Sequence, residues 1–449
     1  MKIKYSIGIL CFTLFGLGAC LDDQSSLGDR ELSEITISAP HDTLTAYFGE
    51  EFVVSHLSVE QSGEELPLAY EWSYGTLNTD EDGMASYPIK DSLHIVSHDP
   101  ELKYAFRELG TFGLRLRVDN GETIRYKYFV LQIDTEFSEG ITVLSRDGDG
   151  KGRISFMRTL TKEEINTGKV PVFRTDITEL INPGTKMEDV TDMVQVNNRL
   201  LVCSGDAGRI YNMDSRTFDI EGMTSFKELY PGCAFVKFAG VSANNNIYLV
   251  SRDRRGYVYD YVLDELMLTE YFKDLDVDAA VSVDRPVFVN YETSVFYSPS
   301  LGGVTSSLNR YVDFNIWGIC PVGSSVYVIA TYKAMPSYIY LSQTTFSLGN
   351  PTILQFYDSL VSLKVNRNSL FAGSKSYSCL YYTCEDGIYY WDLKKQLSTT
   401  PVISIPVGME ITSLSMNPDG TLLYVGLHEK EGTEALKGHL YVYDVKTST

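Results

Sequence analysis

The chain has 449 residues and a formal net charge of −21, and 44% of its residues are hydrophobic. Such an acidic excess, with no basic stripe to offset it, excludes nucleic acid as a partner. After the first twenty residues no segment approaches the roughly eighteen apolar residues of a membrane-spanning helix, so the sequence predicts none in the mature chain. The length indicates at least two domains.

The first nineteen residues have the pattern of an export signal, which we assign to residues 1–19. Lys2 and Lys4 precede an apolar run at residues 7–17 that is too short to span a bilayer. The segment ends in Leu17-Gly18-Ala19-Cys20, which resembles the lipobox of bacterial lipoproteins. That resemblance implies cleavage before Cys20 and lipidation of its thiol, and multiple buried acyl chains would hold the protein on a membrane. The alternative is an ordinary secretory signal beside a structural cysteine.

An acidic pair, Asp22 and Asp23, follows the cysteine at the start of a polar tether that we assign to residues 20–32. The pair resembles the surface-export signal of lipoproteins in the Bacteroidota. It implies a lipid-anchored protein of the outer membrane that faces the cell exterior. The alternative is a merely flexible polar linker.

Short alternating runs between residues 33 and 135 predict an all-β domain, a β-sandwich. In the run from Phe112 to Val118, the apolar side chains share one face and Arg115 and Arg117 share the other. This period of two is typical of a half-buried strand. Turn residues such as Asp119-Asn120-Gly121 separate it from the next predicted strand, at residues 126–133.

Two segments carry a resemblance to PKD-like immunoglobulin-type domains of Bacteroidota lipoproteins. They are Tyr70-Glu71-Trp72-Ser73-Tyr74-Gly75 and the stretch from Gly110 to Gly121. The resemblance covers about a quarter of the chain and implies that Trp72 packs in a core rather than binding a ligand.

From residue 140 to residue 449 a two-strand unit recurs every 40 to 55 residues or so, which predicts a seven-bladed β-propeller. The unit is an apolar strand, a polar turn usually ending in glycine, and an aromatic-rich strand often closing with aspartate. The copies lie at residues 143–156, 201–212, 248–260, 287–297, 326–340, 380–392 and 422–444.

A further strand precedes most of these hairpins and is predicted to line the central channel. Six such strands accompany seven hairpins, at residues 190–196, 235–241, 279–283, 316–321, 361–365 and 411–416. Because the last blade stops after its third strand, we expect a strand from the start of the propeller to close the ring. Trp391-Asp392 and Tyr443-Asp444 resemble the ends of WD40-type strands, which implies aromatic packing between blades.

No metal site or cofactor is predicted. None of the six histidines has zinc-ligand spacing with a cysteine. Residues 147–152 resemble half of a calcium loop, but Lys151 replaces a ligand and no bidentate glutamate follows, which favours a plain hairpin turn. Two of the seven cysteines fall in the leader or at the anchor, and the odd remainder argues against a disulfide framework. Cys379 and Cys384 are either a disulfide across a turn or two buried thiols.

The sequence gives no positive sign of an enzyme. Acidic residues near the mouths of the channel strands are Asp189, Asp192, Asp278 and Glu410, but no motif defines a catalytic pair. A nucleophile elbow and a phosphate-binding glycine loop are both missing from the sequence. We therefore expect no catalytic residues.

The turns of the hairpins are expected to gather on one face of the propeller, around the mouths of the channel strands. The candidate binding residues there are Trp317, Arg146, Asp147, Asp206, Arg252, Asp253, Arg254 and Arg255. Aromatic side chains at such a mouth suit stacking on a sugar ring or capture of a partner's side chain. The alternative is that Trp317 packs between blades and the charged turns are merely solvated.

A lipoprotein with a PKD-like domain and a propeller resembles accessory components of SusC/SusD-type importers, which take up glycans or peptides. The resemblance implies a non-catalytic, ligand- or partner-binding role in nutrient uptake. Two alternatives stay open: a polysaccharide-cleaving propeller enzyme, and a purely structural or adhesive module.

Overall fold

The computed structural model describes most of the chain after residue 31. The described residues are 32–79, 85–86, 93–175, 177–241, 246–267, 276–283, 286–299, 305–308, 311–344, 352–357, 364–393, 398, 400–430 and 437–448. The predicted leader, Cys20, Asp22 and Asp23 lie outside these residues, so lipidation and surface export stay predictions. The chain divides into two compact units, Met1–Glu136 and Phe137–Thr449. Within the described residues, no helix has the length and apolarity needed to cross a membrane.

The first unit is built of strands. They are β1 (Ile35–Ser38), β2 (Thr43–Tyr47), β3 (Glu51–Val53), β4 (Ser58–Gln61), β5 (Ala69–Thr76), β6 (Asn78–Thr79), β7 (Ala85–Ser86), β8 (His94–Ser97), β9 (Lys103–Ala105), β10 (Gly110–Asp119) and β11 (Ile124–Asp134). The main sheet has the order β2-β11-β10-β5-β8, with β2 parallel to β11 and the other pairs antiparallel. The pairs β1-β4, β3-β9 and β6-β7 complete the unit.

The core of the first unit is centred on Trp72. This side chain is 0% exposed, its ring stacks on Phe129 at 6.2 Å, and its indole N–H donates to the Asp99 carbonyl at 3.1 Å. Leu114, Leu116 and Val118 are also buried, as the alternation along β10 predicts. The prediction that Trp72 packs in a core is confirmed.

Where the structure describes it, the second unit contains the remaining strands and two short helices, α1 (Lys162–Asn166) and α2 (Ile177–Ile181). The strands are β12 (Gly140–Arg146), β13 (Lys151–Arg158), β14 (Met187–Glu188), β15 (Val190–Val196), β16 (Arg199–Ser204), β17 (Arg209–Asp214), β18 (Ile220–Ser225), β19 (Phe235–Val241), β20 (Asn246–Ser251), β21 (Gly256–Asp260), β22 (Glu265–Met267), β23 (Ala279–Ser282), β24 (Pro286–Asn290), β25 (Val295–Pro299), β26 (Thr305–Leu308), β27 (Phe314–Val322), β28 (Ser325–Tyr332), β29 (Met335–Thr344), β30 (Thr352–Tyr357), β31 (Phe371–Ser374), β32 (Cys379–Cys384), β33 (Gly387–Asp392), β34 (Ile403–Ser404), β35 (Met409–Met416), β36 (Leu422–Glu429) and β37 (Gly438–Asp444).

These strands form consecutive antiparallel sheets, each of which takes its strands in chain order. The five central sheets, β15-β18, β19-β22, β23-β26, β27-β30 and β31-β34, have four strands each, and β12-β14 and β35-β37 have three. The first strand of each sheet from β15 onward lies beside the first strand of the next. Successive four-stranded sheets with adjacent first strands are the topology of a β-propeller. We number the seven sheets blades 1 to 7 in chain order.

Alternation of strand direction places two sets of loops on the same side of every blade. The turn between the second and third strands lies on the side where the first strand begins; we call this side the hairpin face. In blade 1, the amide of Asp189, just before β15, donates to the Gly150 carbonyl in the turn between β12 and β13 at 3.1 Å. That turn therefore lies on the hairpin face, and β12 and β13 correspond to second and third strands.

Two expectations about the channel strands are not met in the described residues. The strand predicted at residues 361–365 is wrong for 364–365, which carry no strand, while 361–363 lie outside the described residues. The first strand of blade 6 is β31, whose small residues lack apolar alternation; Gly373 allows close approach to the Pro321 carbonyl in blade 5. The expected closing strand is not found in the described part of blade 7, where β35 to β37 form a three-stranded sheet.

Apolar side chains from neighbouring blades form the cores of the propeller. Trp391 is fully buried among side chains of blades 5 and 6, as the WD40 resemblance implies. The five cysteines of the described residues are buried and free. Cys379 and Cys384 lie at opposite ends of β32, about 16 Å apart at strand spacing, too far for a disulfide.

Candidate functional site

Three of the predicted site residues meet at Asp189 on the hairpin face of blades 1 to 3. The Asp189 carboxylate lies 3.1 Å from the Arg146 guanidinium and 3.6 Å from that of Arg252, and it accepts from the Asp206 amide at 2.7 Å. Arg252 also pairs with the Asp206 carboxylate. The turns of three blades are thus joined by ion pairs rather than merely solvated.

Backbone conformation brings Asp189 into this position. Its φ is 45°, in the left-handed region that aspartate tolerates better than most residues. Gly205 lies against the carboxylate, and a Cβ at that position would collide with it. A glycine at the start of the turn between β16 and β17 therefore leaves the space in which Asp189 sits.

Arg254 forms a second cluster between blades 3 and 4. Its guanidinium donates to both carboxylate oxygens of Asp278, at 2.7 and 3.2 Å, in a bidentate pair. It also lies 3.6 Å from Asp276 and 3.5 Å from Glu292. Asp278 in turn accepts from the Tyr291 amide at 2.7 Å, which ties the turn of blade 4 to the cluster.

Trp317 lies near the start of β27, half-buried at the hairpin face of blade 5. Its indole N–H donates to the Thr331 hydroxyl at 3.1 Å, and it packs against the core between blades 5 and 6. Arg367, in the loop before β31, lies with its guanidinium carbon 5.7 Å from the Trp317 ring centroid and 4.5 Å from that of Tyr291. Trp317 therefore packs between blades 5 and 6, as the alternative expects, and leaves part of its ring exposed beside Arg367.

Tyr291 is the second aromatic ring of this group. Its carbonyl accepts from the Arg367 guanidinium at 3.3 Å, while its ring lies under the same group. Burial raises the pKa of the Tyr291 hydroxyl to about 12, against the opposing effect of Arg367. The ring therefore stays uncharged at neutral pH and presents its face to a cation. We call Tyr291, Trp317 and Arg367 the aromatic clamp.

The other three predicted site residues, Asp147, Asp253 and Arg255, lie in the turns of blades 1 and 3. The Asp147 carboxylate accepts from the amides of Asp149 and Lys151 and from the Arg153 side chain. Burial raises the pKa of Asp147, but these hydrogen bonds outweigh it and lower the pKa below its ordinary value. Asp253 accepts from the Ser251 hydroxyl, and the Arg255 amide donates to that hydroxyl. The contacts of Asp147 favour a plain hairpin turn at residues 147–152 over half of a calcium loop.

Asp192 is an acidic residue of the channel strand β15 with a shifted pKa. It lies half-buried at a bulge of β15, and its carboxylate accepts from the Phe238 amide at 2.9 Å. Burial raises its pKa, and the nearby Lys237 and the amides of Phe238 and Met193 oppose the change only in part. Glu410, at the start of β35, lies 3.8 Å from His428.

The opposite face carries a pocket of about 290 Å³ between blades 2 and 3. Its lining residues are Arg199, Asn212, Glu221, Gly222, Tyr261, Val262 and Asp264. Arg199 pairs with Glu221, and the Tyr259 hydroxyl donates to Asp264 at 2.8 Å, so most of the charges in this pocket already have partners. Within the described ranges, no three His, Cys, Asp or Glu side chains are grouped to hold a metal ion.

Sequence reasoning missed the two partners that complete the clamp, Tyr291 and Arg367. Tyr291 lies inside the fourth hairpin copy at residues 287–297, and in the structure it directly follows β24. Arg367 lies beyond the wrongly placed channel strand at residues 361–365. No pattern in the sequence around Arg367 indicates that it contacts rings from the two preceding blades.

Comparison with known proteins finds similarity to solved structures at low sequence identity. No family model matches the sequence, and no curated protein matches it. A quinonprotein alcohol dehydrogenase-like protein from Bacteroides thetaiotaomicron is similar in structure, with a TM-score of 0.48 and 13% identity over 92% of this chain and 94% of that chain. The β-propeller domain of Cps50 (Swd1) from Myceliophteria thermophila gives 0.43 and 11%, over 69% of this chain and 98% of that chain. The strand topology, rather than these likenesses, identifies the propeller.

Proposed function

We propose that the chain is a lipid-anchored protein of the outer membrane surface that binds a ligand or partner through the hairpin face, without catalysis. The observation that carries the binding role is the aromatic clamp, where Tyr291, Trp317 and Arg367 meet at the mouths of blades 4 to 6. Aromatic rings beside a charged group offer apolar contact and orientation together, which suits recognition of a sugar ring or of a peptide side chain.

The cellular role that fits this arrangement is an accessory lipoprotein of a SusC/SusD-type uptake system for glycans or peptides. The sequence supports it through Cys20 after the lipobox-like segment and through Asp22 and Asp23. We assign the first unit the role of a PKD-like, immunoglobulin-type spacer. Its support is the five-stranded sheet that covers the fully buried Trp72.

Trp317→Ala tests the binding role. We expect it to weaken binding of the native ligand or partner at least tenfold, about 1.4 kcal/mol, with the fold intact. Exposed Val262, on the opposite face, supplies the control Val262→Ala, which should bind like the parent. Calorimetry or pull-down with parental affinity in a folded Trp317→Ala protein would move the binding site elsewhere.

The enzyme alternative has its own test at the acidic residues of the channel mouths. Asp278 is tied by a bidentate pair to Arg254, and Glu410 lies beside His428. We expect no hydrolysis of polysaccharides by the parent, by Asp278→Ala or by Glu410→Ala. Parental hydrolysis that either variant abolishes would overturn the non-catalytic proposal.

A further inference from the structure

The two rings of the aromatic clamp already hold a cation, the Arg367 guanidinium of the same chain. The Arg367 guanidinium lies 4.5 Å from the Tyr291 ring centroid and 5.7 Å from that of Trp317, and it donates to the Tyr291 carbonyl at 3.3 Å. The two rings and the carbonyl therefore contact a planar, positively charged group that belongs to a different blade.

The position of the Arg367 side chain allows it to move away from the two rings. Its side chain is exposed, and residues 364–370 around it carry no strand. An incoming guanidinium would make the same ring contacts and the same hydrogen bond to the Tyr291 carbonyl. The exchange replaces one cation with an equivalent one, so it loses no interaction of the clamp.

The charges around the clamp favour a cation at this site. Asp278 accepts from the Tyr291 amide, and Asp276 and Glu292 flank the same turn through Arg254. These three carboxylates share Arg254, so a net negative charge lies beside Tyr291 and attracts an incoming guanidinium as it attracts Arg367. The whole chain carries a net charge of −21, which attracts cationic ligands and repels anionic ones.

We propose that the aromatic clamp is a self-occupied binding site for a guanidinium group, and that its ligand is an arginine-bearing peptide that displaces Arg367. The inference rests on the proposed binding function of the hairpin face and narrows its ligand class from glycan or peptide to cationic peptide. Arg367 is then an internal competitor that sets the affinity, while Tyr291 and Trp317 supply the surface that binds.

The test is calorimetry of the full chain in detergent with tetra-arginine as the probe, comparing the parent, Arg367→Ala, Arg367→Lys and Trp317→Ala/Arg367→Ala. Removal of the competitor should tighten binding by Arg367→Ala at least about fivefold, close to 1 kcal/mol. Arg367→Lys keeps a cation at the site and should bind with an affinity near that of the parent. The double variant should lose the gain, because it lacks one ring of the clamp.

The outcomes separate this inference from the proposed function. Equal or weaker binding by folded Arg367→Ala would overturn the inference, as would a gain that persists in the double variant, since general attraction to an acidic surface would then explain it. A thermal melt of each variant confirms folding. If tetra-arginine shows no clamp-dependent binding while Trp317→Ala still loses the native ligand, the proposed function stands and the guanidinium assignment fails.

Discussion

At the scale of single residues, the pKa of a carboxylate depends on its local contacts, which the strand pattern does not reveal. Asp147 and Asp192 both lie within the propeller repeat, yet the pKa values of their carboxylates are shifted in opposite directions. Hydrogen bonds within its turn outweigh burial and lower the pKa of Asp147. Burial at a strand bulge dominates at Asp192 and raises its pKa. The same residue type therefore stabilises the fold at one position and opposes it at the other.

Asp192→Asn should stabilise the protein at neutral pH. With a raised pKa, the folded state holds the Asp192 proton more tightly than the unfolded chain, so ionisation lowers stability. That loss is absent below the ordinary aspartate pKa of about 3.9 and grows as pH rises toward the raised value. Denaturant unfolding should show the variant more stable than the parent at pH 7 or so, with the gap closing in acid.

Asp147→Asn is the control with the opposite sign. A lowered pKa contributes stability above the ordinary aspartate value, and this contribution is lost as pH falls through the lowered one. The variant should be less stable than the parent at neutral pH, and the two should converge in acid. If both asparagine variants shift stability in the same direction at neutral pH, the assignment of burial at Asp192 is wrong.

At the scale of elements, the repeat predicts the hairpins well and the contacts between blades poorly. Strands β16 and β17, β20 and β21, and β32 and β33 lie where apolar runs flank a glycine-containing turn. The strand β31 was missed because Gly373 and its small neighbours serve close packing rather than apolar alternation. The ion pairs of Asp189 join turns of different blades, and their partners are distant in sequence. Period and turn chemistry are local properties, whereas pairing across blades is a property of the folded chain.

Gly205→Ala should destabilise the propeller by about 1–3 kcal/mol, the usual cost of inserting a methyl group into occupied space. The new Cβ would collide with the Asp189 carboxylate and push it away from Arg146 and Arg252, although no charge is removed. Gly148→Ala is the control, because Gly148 lies in the turn of blade 1 with open space around it. Equal unfolding free energies for the two variants would show that a methyl group at position 205 does not disturb the Asp189 carboxylate.

For the whole molecule, the lipid anchor that we propose is the feature to test. Cys20 is the predicted anchor and the acidic pair Asp22 and Asp23 the predicted export signal. An anchor that consists of acyl chains on one thiol should be removed completely by a single substitution.

Cys20→Ser should therefore move the protein from the membrane fraction to the soluble fraction and abolish labelling with radioactive palmitate. Asp22→Ala/Asp23→Ala should stay lipidated but become resistant to protease shaving of whole cells. Membrane retention of Cys20→Ser would reveal a second anchor. Equal shaving of the acidic-pair variant and the parent would remove the pair as an export signal.

The proposal that binding occurs on the hairpin face can be tested without knowledge of the ligand. A photoreactive amino acid can be placed in living cells at Glu292 on that face or at Val262 on the opposite face, where the side chains are 79% and 65% exposed. We predict a covalent adduct from position 292, lost when Trp317→Ala is added, and none from position 262. An adduct from position 262 alone, or equal adducts from both, would contradict the claim.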